Sequence, residues 1–354
     1  MIFLTSRNLL KRDLERFGLK VWNKFYVLDI SKFSKRDKLR KIDHKKTIKI
    51  SSLRDLMKFL KKSKQEYLID NTENNIREII VKLILKIYRI KIIKYFGGLK
   101  PENSNFKKKF DLNLIMRRYL LSLIYKYIFD IVLITGEKHE NFSIYLKGKK
   151  EIFYTHSFDY NHFLELKKSN RKKNFILYLD QNFISHPIFE INKTKPIADK
   201  NFYKRLEVFF KKVEKKNKCK IKIALHPSSK KNNLHFSNKF KCYSNKTAEL
   251  VRDSKFIIAH YSTAVSLAVL FEKPITFISS SDMLLKRADY LTKDFSYKLG
   301  SKFMNIESEK NFFLNKRINK KKYQKFVNEY VKHPKSQNIN TWKYLKKKLK
   351  IYNL

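Results

Sequence analysis

Polar residues follow several apolar, strand-like runs in the second half of the chain, where they could bind or react with a ligand. His226, Pro227 and Ser228 follow the run 221–225. Proline fixes φ and removes a backbone donor, so it stiffens this exit, and the imidazole can donate a hydrogen bond or carry a positive charge. This combination favours the binding of a phosphate group. An ordinary His-Pro turn without a functional role is the alternative.

A second polar group follows the run 256–259, which continues as His260, Tyr261, Ser262 and Thr263. A segment of small and apolar residues comes next, so Ser262 and Thr263 would stand at the start of a helix. Free backbone N–H groups at such a start, together with two hydroxyls, can hold an anion. A helix cap alone would explain one hydroxyl. The second hydroxyl and the preceding His260 favour a phosphate-binding role.

Carboxylates at three positions are candidates for a general base. Asp180 directly follows the apolar run 175–179, where it could accept a proton from an attacking hydroxyl or cap the next loop. Asp159 and then Glu137 are weaker candidates, and the base could also be none of the three. Glu249, near the start of a short helix, could bind ribose hydroxyls, although a surface carboxylate favoured by the helix dipole explains it equally well.

Strand-like runs alternate with helical patterns along the whole chain. The runs lie at 21–30, 67–70, 130–135, 175–179, 221–225, 256–259 and 274–278. Helical patterns start at the capping residues Ser51 and Asn75 and cover 202–213, 247–251 and 262–270. This alternation predicts mostly parallel sheets with helices on both faces. Ligands of such sheets bind beyond the carboxyl ends of the strands, where the polar groups above occur.

The length of the chain, 354 residues, suits about two domains. We therefore predict an α/β protein of two Rossmann-like, doubly wound domains facing a cleft. The first would span 1–165 and the second 175–315, with the polar segment 165–174 as the linker. A Lys-rich helical tail over 316–354 would pack across both domains.

The chain is strongly basic, with 81 Lys and Arg against 32 Asp and Glu and a formal net charge of +49. Such a charge attracts polyanions, so a non-enzymatic nucleic-acid-binding protein is one alternative. Lys, Ile, Asn, Phe and Tyr are enriched together, which is typical of AT-rich coding, and no nucleic-acid-binding motif is present. The excess of basic residues is better interpreted as part of a solvated surface that tolerates an anionic membrane. No specific nucleic-acid partner is expected.

Two cysteines, Cys219 and Cys242, exclude a disulfide framework and a four-thiolate zinc site. We find no window of eighteen uncharged apolar residues and no cleavable leader, so we expect a cytoplasmic location. The stretch 79–94 mixes apolar and basic residues and could lie on the inner face of a membrane, but an amphipathic helix followed by a buried strand is the favoured interpretation. Candidate metal ligands are scattered, so neither a cofactor nor a metal is predicted.

The two polar segments, with His226 and Ser262 thirty-six residues apart, resemble the His-Pro and Ser-Ser/Thr motifs of known transferases. These are bacterial sialyltransferases and polysialyltransferases of the GT-B fold, and CDP-glycerol glycerophosphotransferases. Residues 156–160, 177–181 and 247–251 are similar to a group of surface carbohydrate biosynthesis proteins. The specific resemblance covers about 156–278.

This resemblance implies that His226, Ser262 and Thr263 hold the phosphate of a CMP or CDP leaving group. The sialyltransferases also carry an acidic motif that supplies the base, and the nearest substitute here is Asp180-Gln181-Asn182. The implied activity is a metal-independent glycosyltransferase of bacterial surface polysaccharide biosynthesis. It would move an acidic sugar, of the nonulosonic or Kdo type, from a CMP donor to a glycan or lipid-linked acceptor. A CDP-glycerol-type polyol-phosphate transferase is the alternative.

Overall fold

The computed structural model describes residues 1–6, 11–22, 24–35, 45–63, 66–72, 75–97, 123–140, 146, 148, 150–166, 174–186, 189, 193–229, 235–281, 283, 286–307 and 313–350. They form two compact units. The described residues of unit 1 fall within 1–97, 123–158 and 333–350, and those of unit 2 within 159–332. These bounds differ from the predicted ones. Most of the predicted linker and the last four residues of the predicted tail lie outside the described residues.

Thirteen strands are present in the described parts of the chain. They are β1 (Ile2–Thr5), β2 (Tyr26–Asp29), β3 (Thr47–Lys49), β4 (Tyr67–Asn71), β5 (Lys91–Tyr95), β6 (Ile131–Ile134), β7 (Glu151–Tyr154), β8 (Phe175–Leu179), β9 (Lys220–Ala224), β10 (Lys241–Tyr243), β11 (Phe256–Ala259), β12 (Ile275–Ser279) and β13 (Lys302–Asn305). Unit 1 has a sheet of order β3-β2-β1-β4-β5-β6-β7, and unit 2 one of order β10-β9-β8-β11-β12-β13. Every neighbouring pair in both sheets is parallel.

Eleven α-helices of the described residues have the following bounds. They are α1 (Lys11–Arg16), α2 (Leu53–Lys62), α3 (Ile76–Ile87), α4 (Glu137–Glu140), α5 (Phe158–Glu165), α6 (Phe202–Asn217), α7 (Thr247–Asp253), α8 (Val265–Leu270), α9 (Lys286–Leu299), α10 (Lys320–Phe326) and α11 (Thr341–Lys348). A π-helical turn, Val327–Val331, follows α10. No helix of the described residues is both long and apolar enough to cross a bilayer.

Helix starts in unit 1 follow from side-chain capping. Ser52, rather than the predicted Ser51, caps α2: its Oγ accepts from the Asp55 N–H at 3.1 Å, and Asp55 accepts from the Ser52 N–H at 3.0 Å. Asn75 and Glu78 form the same reciprocal box at the start of α3. These boxes satisfy backbone donors that the first helical turn leaves unpaired.

The core of each unit lies on both faces of its sheet, as a doubly wound fold requires. In β8, Ile176 and Tyr178 belong to one buried cluster, whereas Phe175, Leu177 and Leu179 belong to another. Successive side chains of a strand point to opposite faces, so a strand covered by helices on both sides is apolar throughout. That burial explains why β8 reads as a continuous apolar run.

The carboxyl-terminal segment contributes to both cores. Tyr323 and Phe326 are buried in unit 2, and Trp342 is buried in unit 1. Gly18 makes room for Trp342: its φ is +84°, and a Cβ there would lie 2.7 Å from the Trp342 Cγ. Only glycine combines that backbone conformation with so close a side chain.

Candidate functional site

The strand order of unit 2 creates a switch point between β8 and β11. From β8 the chain moves outward through β9 to β10, and it then returns to the other side of β8 as β11. Connections therefore leave in opposite directions from these two neighbours, which opens a crevice beyond their carboxyl ends. Residues 180–186 follow β8 and residues 260–264 follow β11. The loop that carries Asp180 and the loop that carries Ser262 therefore border this crevice.

The exit of β9 lies in the same row as the other two exits. Leu179 is the register partner of both Ala224 in β9 and Ala259 in β11. With neighbouring strands 4.7–4.9 Å apart, the ends of β9 and β11 are separated by about 10 Å. The loops that carry His226 and Ser262 thus leave one edge of the sheet, on either side of β8.

Asp180 is buried at this edge and receives hydrogen bonds on both carboxylate oxygens. Its Oδ1 accepts from the Asn182 N–H at 3.2 Å and the Tyr203 hydroxyl at 3.0 Å. Its Oδ2 accepts from the His226 N–H at 3.2 Å and the Ser229 hydroxyl at 3.4 Å. An ionised carboxylate has about four lone-pair sites, and four donors match that number. Asp180 therefore ties the loop after β8 to the loop after β9.

His226 is half-buried and is held by Ser228. The Ser228 N–H donates to Nδ1 of His226 at 3.2 Å, and the Ser228 Oγ lies 2.7 Å from the same nitrogen. Because Nδ1 accepts from a backbone N–H, the neutral ring carries its proton on Nε2. Asn182 extends the network, since its Nδ2 donates to Ser228 Oγ at 3.0 Å. The side chains of two neighbouring loops thus fix the orientation of the imidazole.

Asn182 adopts a left-handed backbone conformation, with φ at +50°. Asparagine tolerates this region better than most residues, because its short side chain bonds locally. Here its Oδ1 accepts from the Ser185 N–H at 3.2 Å. The sharp turn after β8 therefore depends on the residue type at this position.

Three aromatic residues that the sequence analysis did not identify also belong to the site. The His186 ring lies 4.8 Å from that of His226, centroid to centroid. The Tyr203 ring stacks on His235 at 4.7 Å, and His235 Nε2 lies 2.8 Å from Ser185 Oγ. The dipeptide His186-Pro187 repeats the His-Pro pattern and was a signal for the first of them. Tyr203 and His235 carry no comparable signal.

Asp180 also governs the electrostatics of its surroundings. Burial raises its pKa above the ordinary range, and the hydrogen bonds from Asn182, His226 and Tyr203 oppose that rise. The pKa of Tyr203 is raised well above its usual value by burial and by the Asp180 charge. Burial, with a smaller contribution from Asp180, raises the pKa of Cys242 to about 11. Tyr203 and Cys242 therefore keep their protons at neutral pH.

His260, predicted among the phosphate-binding residues, is fully buried in the core of unit 2. Its ring packs against Phe183 at 4.9 Å and Tyr178 at 5.8 Å. Within the described part of the chain, neither ring nitrogen has a partner in hydrogen-bond geometry. Burial lowers the pKa of His260 to about 3, and the nearby Ile278 backbone opposes this only in part. The structure therefore places this imidazole beneath the loop and out of reach of a surface ligand.

The other predicted residues differ in burial and in position. Ser262 is buried and accepts from the Ala264 N–H at 3.2 Å, and Thr263 is exposed. Helix α8 begins at Val265, three residues after its predicted start. Three more of them are exposed: Pro227 lies next to His226, Glu249 lies in the first turn of α7, and Glu137 lies at the start of α4 in unit 1. Asp159 is half-buried in the first turn of α5.

No group of three His, Cys, Asp or Glu side chains within the described residues is arranged to hold a metal ion. The donors gathered at the site are imidazoles, hydroxyls and one buried carboxylate that is already hydrogen-bonded. Magnesium and calcium prefer oxygen ligands with several carboxylates. The residues present thus suit an organic phosphate better than a divalent cation.

The fold is similar to those of several solved protein structures. A variant of the wall teichoic acid polymerase TagF has a TM-score of 0.56 at 11% identity, covering 99% of this chain and 88% of that chain. The UDP-GlcNAc 2-epimerase from Methanocaldococcus jannaschii gives a TM-score of 0.49 at 12% identity, covering 99% and 98%. MurG from Acinetobacter baumannii gives 0.43 at 8% identity, covering 87% and 86%. No protein-family model matches the sequence, and no curated protein matches it.

The similarity to TagF extends over nearly the whole chain and concerns the fold. Together with the two parallel sheets, it confirms the predicted class, an α/β protein with two Rossmann-like domains of the GT-B type. The weaker overlap of the other two structures adds nothing to that assignment.

Proposed function

We propose that the protein is a glycosyltransferase of bacterial surface polysaccharide biosynthesis that uses a CMP-activated acidic sugar. One observation carries this proposal: Asp180, Asn182, His226 and Ser228 form a continuous hydrogen-bonded network at the carboxyl edge of β8 and β9. The network holds the His226 imidazole on the loop after β9, next to β8, and β8 borders the switch point at which Rossmann-like folds bind nucleotides.

The proposed role of His226 is to donate a hydrogen bond from Nε2 to the nucleotide phosphate. When the bond to the sugar breaks, negative charge grows on the CMP leaving group. A donor already held in place by Ser228 stabilises that charge without reorganising as the bond breaks. Ser262 and Thr263, at the exit of β11, are proposed to bind the same phosphate from the other side of β8. His260 supports their loop from the core.

Asp180 is the candidate for the base that the sequence favours, and its surroundings define how it would act. Its oxygens already accept four hydrogen bonds, of which the one from Ser229, at 3.4 Å, is the longest. An acceptor hydroxyl would have to replace Ser229 before it could transfer a proton to Oδ2. We therefore propose that Asp180 mainly positions the His226 loop and that Asp159 remains a candidate for the base.

A CDP-glycerol-type polyol-phosphate transferase is the second candidate. The resemblance of the His-Pro and Ser-Thr segments extends to CDP-glycerol glycerophosphotransferases, and the fold is similar to that of a wall teichoic acid polymerase. Both candidates release CMP, so the same phosphate site serves either of them. The partners would be a cytidine nucleotide donor and a glycan or lipid-linked acceptor, with the protein in the cytoplasm or on the inner face of the membrane.

The experiment that tests the proposal is a thermal-shift screen of the full chain with CMP, CDP, UDP and GDP. A ligand that binds only the folded state stabilises it, by about 2.7 kcal/mol at a hundred times its Kd. We expect CMP or CDP to raise the melting temperature more than UDP or GDP. A shift with UDP or GDP alone, or with none of the four, contradicts the proposal. Product analysis then separates the candidates, because only the second leaves phosphorus in the acceptor.

A further inference from the structure

Helix α3 in unit 1 exposes a continuous apolar stripe. Ile76 is 78% exposed, Ile80 38%, Leu83 44% and Ile87 76%. The spacing of four, three and four residues places them on one side of the helix along about 16 Å. Only one other residue of α3, Arg77, is exposed. The outward side of this helix is therefore as apolar as its inward side.

Neighbouring helical segments continue this apolar surface. Leu53 and Met57 of α2 are 38% and 43% exposed, and Leu123 and Tyr127 of the helical residues 123–128 are 46% and 68% exposed. The inward sides of all three segments enter one core cluster, through residues such as Leu56, Val81, Leu85, Tyr125 and Ile128. They therefore cover the same face of the sheet and expose the same outer layer. Eight of the thirteen large apolar residues exposed in the described chain lie here.

The exposed charged residues of α2 and α3 are all basic. On α2 the exposed residues Arg54, Lys58 and Lys61 run as a row beside the row of Leu53 and Met57. The acidic residues of α2 and α3 are not exposed: Glu78 is buried, and the half-buried Asp55 accepts a hydrogen bond in the capping box of α2. Arg77 and Arg89 add exposed cations at the two ends of α3.

We infer that the outer face of α2, α3 and residues 123–128 docks on a membrane that contains anionic lipids. Apolar residues in one layer can enter the boundary of the acyl chains, and the flanking Lys and Arg side chains can reach the headgroups. A second copy of the chain fits this face poorly, because it would bring two rows of cations together. The inference goes beyond the proposed reaction, since membrane binding needs no turnover.

The test is co-sedimentation of the full chain with vesicles of phosphatidylcholine alone or of phosphatidylcholine and phosphatidylglycerol, in 150 mM salt. We expect binding to the anionic vesicles and little binding to the neutral ones. The double variant Ile76→Glu/Ile87→Glu should bind the anionic vesicles at least tenfold more weakly. The matched control is Val208→Glu, an exposed apolar position on α6 of unit 2, which should bind like the wild type.

Three results would overturn the inference. The first is wild-type protein that stays in solution with anionic vesicles. The second is equal binding by the wild type, the double variant and the control, which would assign the attraction to the overall charge. The third is a wild-type dimer in sedimentation velocity that the double variant dissociates, which would make this face a self-association surface. Circular dichroism checks that each variant is folded, and the most exposed positions, Ile76 and Ile87, were chosen for that reason.

Discussion

The backbone N–H of His226 donates to the buried carboxylate of Asp180 at 3.2 Å, across two neighbouring strands. Asp180 comes directly after β8, and His226 lies two residues beyond the end of β9. A residue predicted to react and a residue predicted to bind are thus parts of one structural unit. Substitutions at either position should affect the other.

Asp180→Asn should lower both stability and nucleotide affinity. Asparagine offers one oxygen, and its amide group would face donors that now bond to the carboxylate. Leaving such donors unpaired costs about 1–3 kcal/mol, which denaturant titration measures as a lower free energy of unfolding. CMP binding should weaken in parallel, since the His226 loop loses its anchor. Glu249→Gln, at an exposed carboxylate, is the stability control. Full stability in Asp180→Asn would refute the anchoring role.

His226→Ala should weaken CMP binding by roughly tenfold or more while leaving the fold intact. A hydrogen bond to a charged group contributes about 1.5–3 kcal/mol, and each 1.4 kcal/mol is tenfold in Kd. Ser228→Ala should have a smaller effect in the same direction, because the ring keeps its donor and loses its orientation. Isothermal titration with CMP measures both. His162→Ala, at an exposed histidine of α5, is the matched control. A His226→Ala variant that binds CMP as tightly as this control and the wild type would exclude His226 from the site.

His260 should make unit 2 less stable in mild acid. Its pKa is about 3 when folded and 6.5 in a model peptide, so below pH 6.5 the unfolded chain takes up a proton that the folded chain rejects. The free energy of unfolding therefore falls as the pH drops from 6.5 towards 3, by about 2 kcal/mol at pH 5 from this group. His260→Phe and His260→Leu should both show a smaller decrease in the free energy of unfolding between pH 7 and pH 5, because they lack the contribution of this imidazole. An unchanged slope in both variants would contradict this account.

The buried charges of unit 1 predict an asymmetry between two substitutions. Asp70 lies 3.0 Å from Lys82 and 2.9 Å from Lys94, and both the Asp70 and Lys82 side chains are fully buried. Asp70→Asn leaves two cations without their carboxylate and should cost about 3–5 kcal/mol. Lys82→Met leaves the Asp70–Lys94 pair and should cost far less. Equal decreases in the free energy of unfolding of the two variants, measured by urea titration, would rule out this charge arrangement.

Chelation of divalent metals should leave turnover near its starting level. The proposed phosphate contacts come from an imidazole and hydroxyls, which stabilise the leaving group without a cation. The measurement is CMP release from a CMP-linked acidic sugar before and after treatment with EDTA. Complete loss of CMP release in EDTA, restored by added magnesium, would exclude the metal-independent mechanism.

The sequence predicted two central strands of unit 2, β8 and β11, to the residue, and it missed β1 and several outer strands. Phe175–Leu179 and Phe256–Ala259 are covered on both faces, so each is a continuous apolar run. β3 and β10 contain three residues each and lie at sheet edges, where part of each strand is exposed. Such short, mixed segments carry no periodic signal.

The site was predictable only where position along a strand determines it. The rule that loops after parallel strands share one edge predicts His226, Asp180 and Ser262 together. Tyr203 and His235 reach the network from a helix and a distant loop, and this depends on packing that no local pattern records. His260 shows the opposite case: a polar residue after a strand suggested a ligand contact, but its ring turns into the aromatic core.

The outermost strands of the two sheets are short, at three or four residues each, and they carry the exposed charges of Lys49, Glu151, Lys241 and Lys302. An open sheet ends in unpaired backbone groups, which other chains can extend into aggregates. Parallel sheets form slowly, so their edges stay available while the chain folds. Short edge strands with exposed charges therefore protect a protein rich in Ile and Phe from intermolecular strand pairing during its synthesis.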